Sequence, residues 1–397
     1  MKRFGALILL LSACKAGAPP EQYGFVAMLG SDTVSVERVS RSATKLVSDA
    51  VDQWPLVKVR HSEFDLTDDG KITHMVMDVR TPSGETPAQR GRRVIADFTR
   101  DSVMISITDS GGMTRRNFRT GGALTVPHVS MMYSVIELEI ASAMRTGVAR
   151  TPVGDSASFR QFYPDRDVGP NFVLHRGWVH RHAKDSVVLN HDWLSGTGDV
   201  LVDSLGRMQT YSGMRSTYKV DVKRVAAALD VAATASRLAA AEKRVGAAQL
   251  SVRDTTRGSI GVATLTVDYG RPLARGRTLL GNVINYDRVW RTGANAATQF
   301  TTSVPITLAG LALPAATYTL WTVPHVSGVD LIVNAQSGQW GTEYSSAKDL
   351  GTARLHAETL TVSVEKFTIS IVSTGAKRGR LVMEWGTFRW TAPIVVK

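Results

Sequence analysis

Tyr269-Gly-Arg-Pro-Leu-Ala-Arg-Gly-Arg-Thr-Leu-Leu-Gly281, followed by Val289-Trp-Arg-Thr-Gly-Ala-Asn295 and Thr298, is the stretch on which the reading of this chain turns. Residues 269–298 hold five arginines, four glycines, three asparagines, one proline and one tryptophan. That is too many conformationally special residues for a regular helix or strand. The flanking runs, 260–267 and 299–304, are short and rich in Val and Thr, as strands are. Similar runs follow at 306–308, 318–323, 330–333, 352–355, 366–372, 380–385 and 387–396, with no convincing helical period among them. Together they predict a β-sandwich over residues 251–397, jelly-roll-like in style. The arginine-rich stretch then becomes a pair of irregular loops displayed on that sandwich.

Upstream, residues 225–250 turn abruptly to alanine, punctuated by Arg237, Lys243 and Arg244. Alanine favours helix, so this segment is a helical linker and the domain boundary. It is either a rigid spacer or a helix docked on the first domain. Residues 23–224 read as strand, tight turn, strand, with turn signals at Asp68-Asp-Gly70 and Ser110-Gly-Gly112. One helical period interrupts them at 129–144, with an apolar stripe through Met132, Val135, Ile136, Leu138, Ile140 and Met144. The expected fold is therefore mainly β: an antiparallel curved sheet with one helix, the linker helix, then the sandwich. A long curved sheet on one helix resembles, in architecture only, the half-barrels of periplasmic lipid-carrier proteins.

A chain of 397 residues with 43% hydrophobic and 21% charged residues suits two folded domains and argues against wholesale disorder. Its net charge of +12 is uneven, about +2 over residues 1–200 and +10 over 201–397. The second half thus favours an anionic partner, yet no dense basic run marks a nucleic-acid surface and none is expected as partner. The start, Met1-Lys-Arg, then a short apolar core and Leu11-Ser-Ala-Cys14, resembles the signal peptide and lipobox of bacterial lipoproteins. Residues 1–14 are then the signal with Cys14 as lipidation site, and 15–22 the tether. Localisation follows as the bacterial cell envelope, lipid-anchored, periplasmic or at the cell surface. Cys14 is the only cysteine, so the folded domains have neither a disulfide nor a thiolate.

Residues 251–397 are similar to the bacterial domain of unknown function 2911. The resemblance lies in Tyr269-Gly-Arg-Pro272, Arg275-Gly-Arg277, Gly281, Val289–Asn295 and Thr298. It continues in Tyr318-Thr-Leu-Trp-Thr-Val-Pro324, Gln339-Trp-Gly-Thr-Glu-Tyr344, Phe367-Thr-Ile-Ser370 and Leu381-Val-Met-Glu-Trp385. It implies a secreted or envelope β domain and supplies no activity. Two positions depart from the pattern: Gly270 stands where the family has serine, and Ala296 where it has glutamate.

Candidate ligand-binding residues are Tyr269, Arg271, Arg275, Arg277, Arg291, Thr292, Asn295 and Thr298. Guanidinium forks clamp carboxylate or phosphate in two-point fashion, which makes a small anion, or an envelope partner, the expected ligand. The same side chains can instead pin the two loops by bonding main-chain carbonyls. Trp321, Trp340 and Trp385, with Tyr269, Tyr286 and Tyr344, suit either a sandwich core or an aromatic platform. His180, His182 and His191, near His175 and Asp192, form the one metal-like cluster. A two-residue turn at Lys184-Asp185 would set His191 opposite Trp178, on the face of His180 and His182. No nucleophile motif and no cofactor motif occurs. Glu343, beside Trp340 and Tyr344, is the one candidate for a glycosidase-type carboxylate, or else a solvated surface glutamate, while an envelope hydrolase acting on a glycan or ester would use the arginine-asparagine pocket. The leading expectation is a ligand-binding envelope module; the hydrolase and a histidine metal binder are its rivals.

Overall fold

The structure is a computed structural model that describes residues 19–84, 86–145, 152–164, 173–191, 196–226, 229–245 and 250–397. Cys14, its lipobox and the first part of the tether lie outside the described residues, as do Asp192 and the side chain of His191. The architecture is mainly β, in two large sheets.

Strands of the first sheet are β1 (Glu21–Leu29), β2 (Asp32–Arg41), β3 (Lys45–Gln53), β4 (Val57–Leu66), β5 (Ile72–Arg80), β6 (Gly91–Phe98), β7 (Ser102–Asp109) and β8 (Gly112–Arg119). After these come β9 (Thr125–Pro127), β10 (Ser156–Phe162), β11 (His175–Arg181), β12 (Ser186–His191), β13 (Thr197–Val202), β14 (Met208–Ser212) and β15 (Asp221–Ala226). The fifteen run in the order β8 to β1, then β15 to β9. Two meanders are thus zipped together where β1 pairs antiparallel with β15. Turn chemistry explains the antiparallel neighbours, since most links are tight. Only β9 and β10 pair in parallel, across the helix α2 (Tyr133–Arg145) that separates them.

That helix departs from its sequence pattern. It starts at Tyr133, after Met131 in the left-handed region and after His128 N–H has bonded Phe162 O. It is also buried all round from Tyr133 to Ala143, not along one stripe. The sheet wraps it, and its polar residues find partners inside. The Glu137 carboxyl accepts from Tyr23 Oη at 2.7 Å, Arg224 Nη1 at 2.7 Å and Met208 N at 2.9 Å. The carboxyl of Glu37 on β2 accepts from Tyr133 N at 2.7 Å and Ser134 N at 3.1 Å, capping the helix from the sheet. Around this helix lies the larger hydrophobic core.

The alanine-rich helix α3 (Val231–Val245) is docked, not a free spacer. Val231 and Leu238 pack on Val36, Val51 and Val57 of the sheet, and Glu242 Oε2 accepts from Val57 N at 2.6 Å. A short α1 (Pro87–Arg90) links β5 to β6.

The second sheet holds β16 (Ser251–Ile260), β17 (Ala263–Pro272), β18 (Thr298–Thr302), β19 (Ile306–Leu308), β20 (Leu311–Leu313), β21 (Ala316–His325), β22 (Gly328–Asn334), β23 (Asp349–Gly375) and β24 (Arg378–Val396). Their order is β16-β17-β18-β21-β22-β23-β24-β19-β20. Four runs separate in the sequence merge into the two long strands β23 and β24, whose pairing shifts register between Thr359 and Thr368. Such irregularities bend strands. The sheet accordingly folds over: the far part of β23 meets β16 and β17, with Thr256 Oγ1 donating to Ile369 O at 2.8 Å and Leu273 bridging to Lys366. The second core fills the space between, around Tyr269, Phe300, Phe367 and Trp385.

The two sheets touch through the arginine-rich stretch. Ser31 N donates to Arg275 O at 3.0 Å, and Arg275 Nε reaches Asp32 Oδ2 at 2.7 Å.

Candidate functional site

Between the sheets lies a cleft of about 850 Å³. One wall is the long connection between β17 and β18, residues 273–297. Four of the six non-glycine residues with positive φ among the described residues lie in it: Arg275, Asp287, Thr292 and Asn295. Such backbone needs support from the surroundings. Trp290 supplies part of it: its ring stacks on Trp385 at 6.0 Å and meets Phe367 edge-on at 5.2 Å. Main-chain bonds join Trp290 to Thr322 in both directions, at 2.7 and 2.9 Å. The next residue, Arg291, is thereby fixed at the cleft.

The opposite wall is the loop between β14 and β15 with Trp54. Ser216 Oγ donates to Gly213 O at 2.9 Å and accepts from Tyr218 N at 3.0 Å, which tightens the loop. Tyr218 stacks on Trp54 at 5.3 Å. Lys219 Nζ donates to Met214 O.

Six cationic side chains line the cleft: Arg215, Lys219, Arg275, Arg277, Arg288 and Arg291. No Asp, Glu, His or Cys lines it among the described residues. Arg215 is paired with Asp199 and Arg275 with Asp32. The partners shown for the next three are main-chain carbonyls. Arg277 donates to Ala274 O at 3.0 Å and Leu273 O at 2.6 Å, Arg291 to Asn295 O at 3.3 Å, and Lys219 to Met214 O. Carbonyls satisfy N–H groups without neutralising charge. Burial consequently pushes the Arg277 and Arg291 guanidiniums below their usual range. It lowers the Lys219 ammonium to about 8, helped by the positive charges of Arg291 and Arg277.

Aromatic surface completes the lining, in Trp54, Tyr218, Trp290, Trp340 and Tyr344. Trp340 is 50% exposed. Trp321 also lines the cleft, is 1% exposed, and its indole N–H has no acceptor among the described residues.

Of the eight residues expected at a ligand, Arg275, Arg277, Arg291 and Asn295 line the cleft. The other four are corrected. Tyr269 is 0% exposed in the core, where its hydroxyl accepts from Ile369 N at 2.9 Å. Arg271 ties β17 to its neighbours through Phe367 O at 3.0 Å, Thr368 Oγ1 at 2.7 Å and Asp254 Oδ2 at 2.7 Å. Thr298 Oγ1 donates to Thr292 O at 2.7 Å and Thr292 Oγ1 to Thr322 Oγ1 at 3.2 Å, both side chains buried. These four build the loop.

Glu343 Oε2 accepts from Trp340 N at 3.0 Å and does not line the cleft. The histidine cluster is corrected as well. Residues 182–185 form the turn, and β11 pairs with β12 so that His180 opposes Val188 and His191 opposes Gly177, not Trp178. His180 Nδ1 contacts Ser156 Oγ at 3.0 Å, while His182 lies exposed beyond the end of β11. Among the described residues, no three His, Cys, Asp or Glu side chains come close enough to hold a metal ion.

Sequence reasoning missed Arg288 and the whole wall of Trp54, Arg215 and Lys219. The segment Gly213-Met-Arg-Ser-Thr-Tyr-Lys219 did carry a signal, glycine and two cations between strands, of the same kind as the stretch from 269.

Residues 251–394 match the family described as protein of unknown function, DUF2911. The second sheet is thus similar to DUF2911 over nearly its whole length. In that domain Gly270 has a spatial reason: a Cβ there would sit 2.1 Å from Ala294 O. No curated protein sequence matches the chain. Among solved structures, a DUF1089 family protein from Pseudomonas aeruginosa is 14% identical, with 47% of this chain and 93% of that one covered and a TM-score of 0.34. The polysaccharide lyase Uly1 is 6% identical, with 97% and 91% covered and a TM-score of 0.12. Likenesses this faint carry no argument about fold or function.

Proposed function

We propose that the protein is a ligand-binding module of the bacterial cell envelope. The cleft between the sheets takes a small anion, a carboxylate or phosphate carried on a ring or other flat apolar body. The observation that carries this reading is the lining: Lys219, Arg277 and Arg291 bonded to main-chain carbonyls, no acidic side chain among the described lining residues, and aromatic faces alongside. Such a field attracts an anion, and guanidiniums in a partly buried site bind one better than exposed ones do. The described lining holds no carboxyl, imidazole or thiol, which leaves the hydrolase reading Lys219 as its main proton-transfer group.

The test is titration with inorganic phosphate, benzoate and glucuronate, read by calorimetry and by tryptophan fluorescence. Arg291→Ala is expected to weaken the anion that binds by at least tenfold, about 1.4 kcal/mol, with little change in melting temperature. A large loss of stability with unchanged affinity would show that Arg291 only braces its loop. The pH dependence has a definite sign. Lys219 is charged below about 8, so affinity is highest there and falls as pH rises through that value, with proton uptake on binding near it.

Membrane attachment is the second part of the proposal, supported by Leu11-Ser-Ala-Cys14. Among the described residues no helix is long and apolar enough to cross a membrane. Cys14→Ser should move the protein from the membrane to the soluble fraction in a bacterial host; unchanged fractionation would reject the lipid anchor.

A further inference from the structure

Lys219 differs from the other cations of the cleft in kind. A guanidinium stays protonated, whereas an amine that loses its proton becomes a nucleophile. Three features of its surroundings favour that loss. It is partly buried, it bonds a carbonyl and not a carboxylate, and it shares the cleft with Arg277 and Arg291. Of the other charged groups nearby, Arg215 and Arg275 are paired with Asp199 and Asp32, Arg288 is exposed, and Asp221, which accepts from Ser212 Oγ, partly offsets Arg277 together with Glu365.

We infer that Lys219 captures carbonyl-bearing anions, aldehydes or 2-oxo acids, as an imine, while Arg277 and Arg291 hold the anionic group. This rests on the anion-binding reading of the cleft. The unprotonated Nζ attacks the carbonyl carbon, a C–N bond forms, and the carbonyl π pair moves to oxygen. Both amine protons leave with that oxygen as water, and C=N remains. No oxidant, reductant or further reactant is needed. With an ammonium pKa lowered to about 8, about a tenth of Lys219 is nucleophilic at pH 7, far more than of an ordinary lysine. The neighbouring guanidiniums serve twice, lowering the amine's proton affinity and placing the anion so that its carbonyl lies near Nζ.

Pyridoxal 5′-phosphate is the probe, since it carries both a phosphate and an aldehyde. The protein is incubated with it at pH 8, reduced with borohydride to fix any imine as a secondary amine, and mapped by peptide mass spectrometry. The expected result is a dominant adduct on Lys219, formed at least tenfold faster than on any other lysine and suppressed by inorganic phosphate. Labelling spread over surface lysines without preference for Lys219 would overturn the inference.

Lys219→Arg keeps the positive charge and removes the nucleophile. It should bind the probe, seen as tryptophan quenching, yet give no adduct at position 219. If Lys219→Arg binds the probe but the native protein is not labelled at Lys219, imine capture falls and the anion site stands. If neither protein binds the probe and the anion titrations are also blank, the anion reading falls and imine capture with it.

Discussion

Glu37→Ala is expected to lower the unfolding free energy by about 3–5 kcal/mol. Glu37 is 0% exposed, and its carboxyl accepts from Tyr133 N, Ser134 N, Ser134 Oγ and Ser48 Oγ. Two of these donors are first-turn amides of α2, so one strand residue caps the helix that the sheet encloses. Truncation leaves two amides and two hydroxyls without an acceptor and opens a cavity, and each buried orphan costs about 1–3 kcal/mol. Burial raises the carboxyl's pKa while the four donors oppose that rise. Glu37→Gln, which keeps an acceptor oxygen in place, should lose less. Urea unfolding of both variants gives the comparison; a loss under about 1 kcal/mol for Ala would mean that water replaces the carboxyl.

Gly270→Ser should cost about 3 kcal/mol or more and abolish anion binding together with it. The added Cβ would lie 2.1 Å from Ala294 O and 2.8 Å from Ala294 C. Both are backbone atoms, so no side-chain rotation can relieve the contact. The chain must move residues 292–297 away from β17, and Arg291 and Asn295 at the cleft move with them. Thermal melting and the anion titration read the two consequences separately. A variant that melts normally and binds normally would show that the loop has room after all. The DUF2911 resemblance implies serine at this position, so the substitution also asks whether the close approach of loop and strand belongs to this chain in particular.

Much of the fold was legible because its cause is local. Alternation with a period of two set the strands of both sheets, alanine set α3, and the density of Gly, Arg and Asn marked 269–298 as irregular. Where local signals misled, a distant partner was the reason. Residues 129–144 show an apolar stripe, but the polar remainder of α2 is buried too. Tyr23, Arg224 and Glu37, at separations of 114, 87 and 96 residues, supply its hydrogen bonds. A one-residue difference in the turn after Arg181 moved His191 from opposite Trp178 to opposite Gly177.

The sequence by itself determined that this is a β protein in two parts with a cationic loop cluster in the second. Which arginines face the cleft was decided only by tertiary structure. Arg271 and Arg277 sit six residues apart in the same basic stretch. Arg271 meets Asp254, Phe367 O and Thr368, and its charge is balanced within the sheet; Arg277 hydrogen-bonds two carbonyls and feels Glu365, Asp32 and Asp221 only through space, so its charge is balanced less directly. The direction of a long guanidinium depends on the acceptors that packing brings within about 3 Å, and those come from strands far along the chain. The opposing wall, with Lys219 and Trp54, enters the site for the same reason: backbone preference is local, whereas a cleft is made by whatever two surfaces the fold sets face to face.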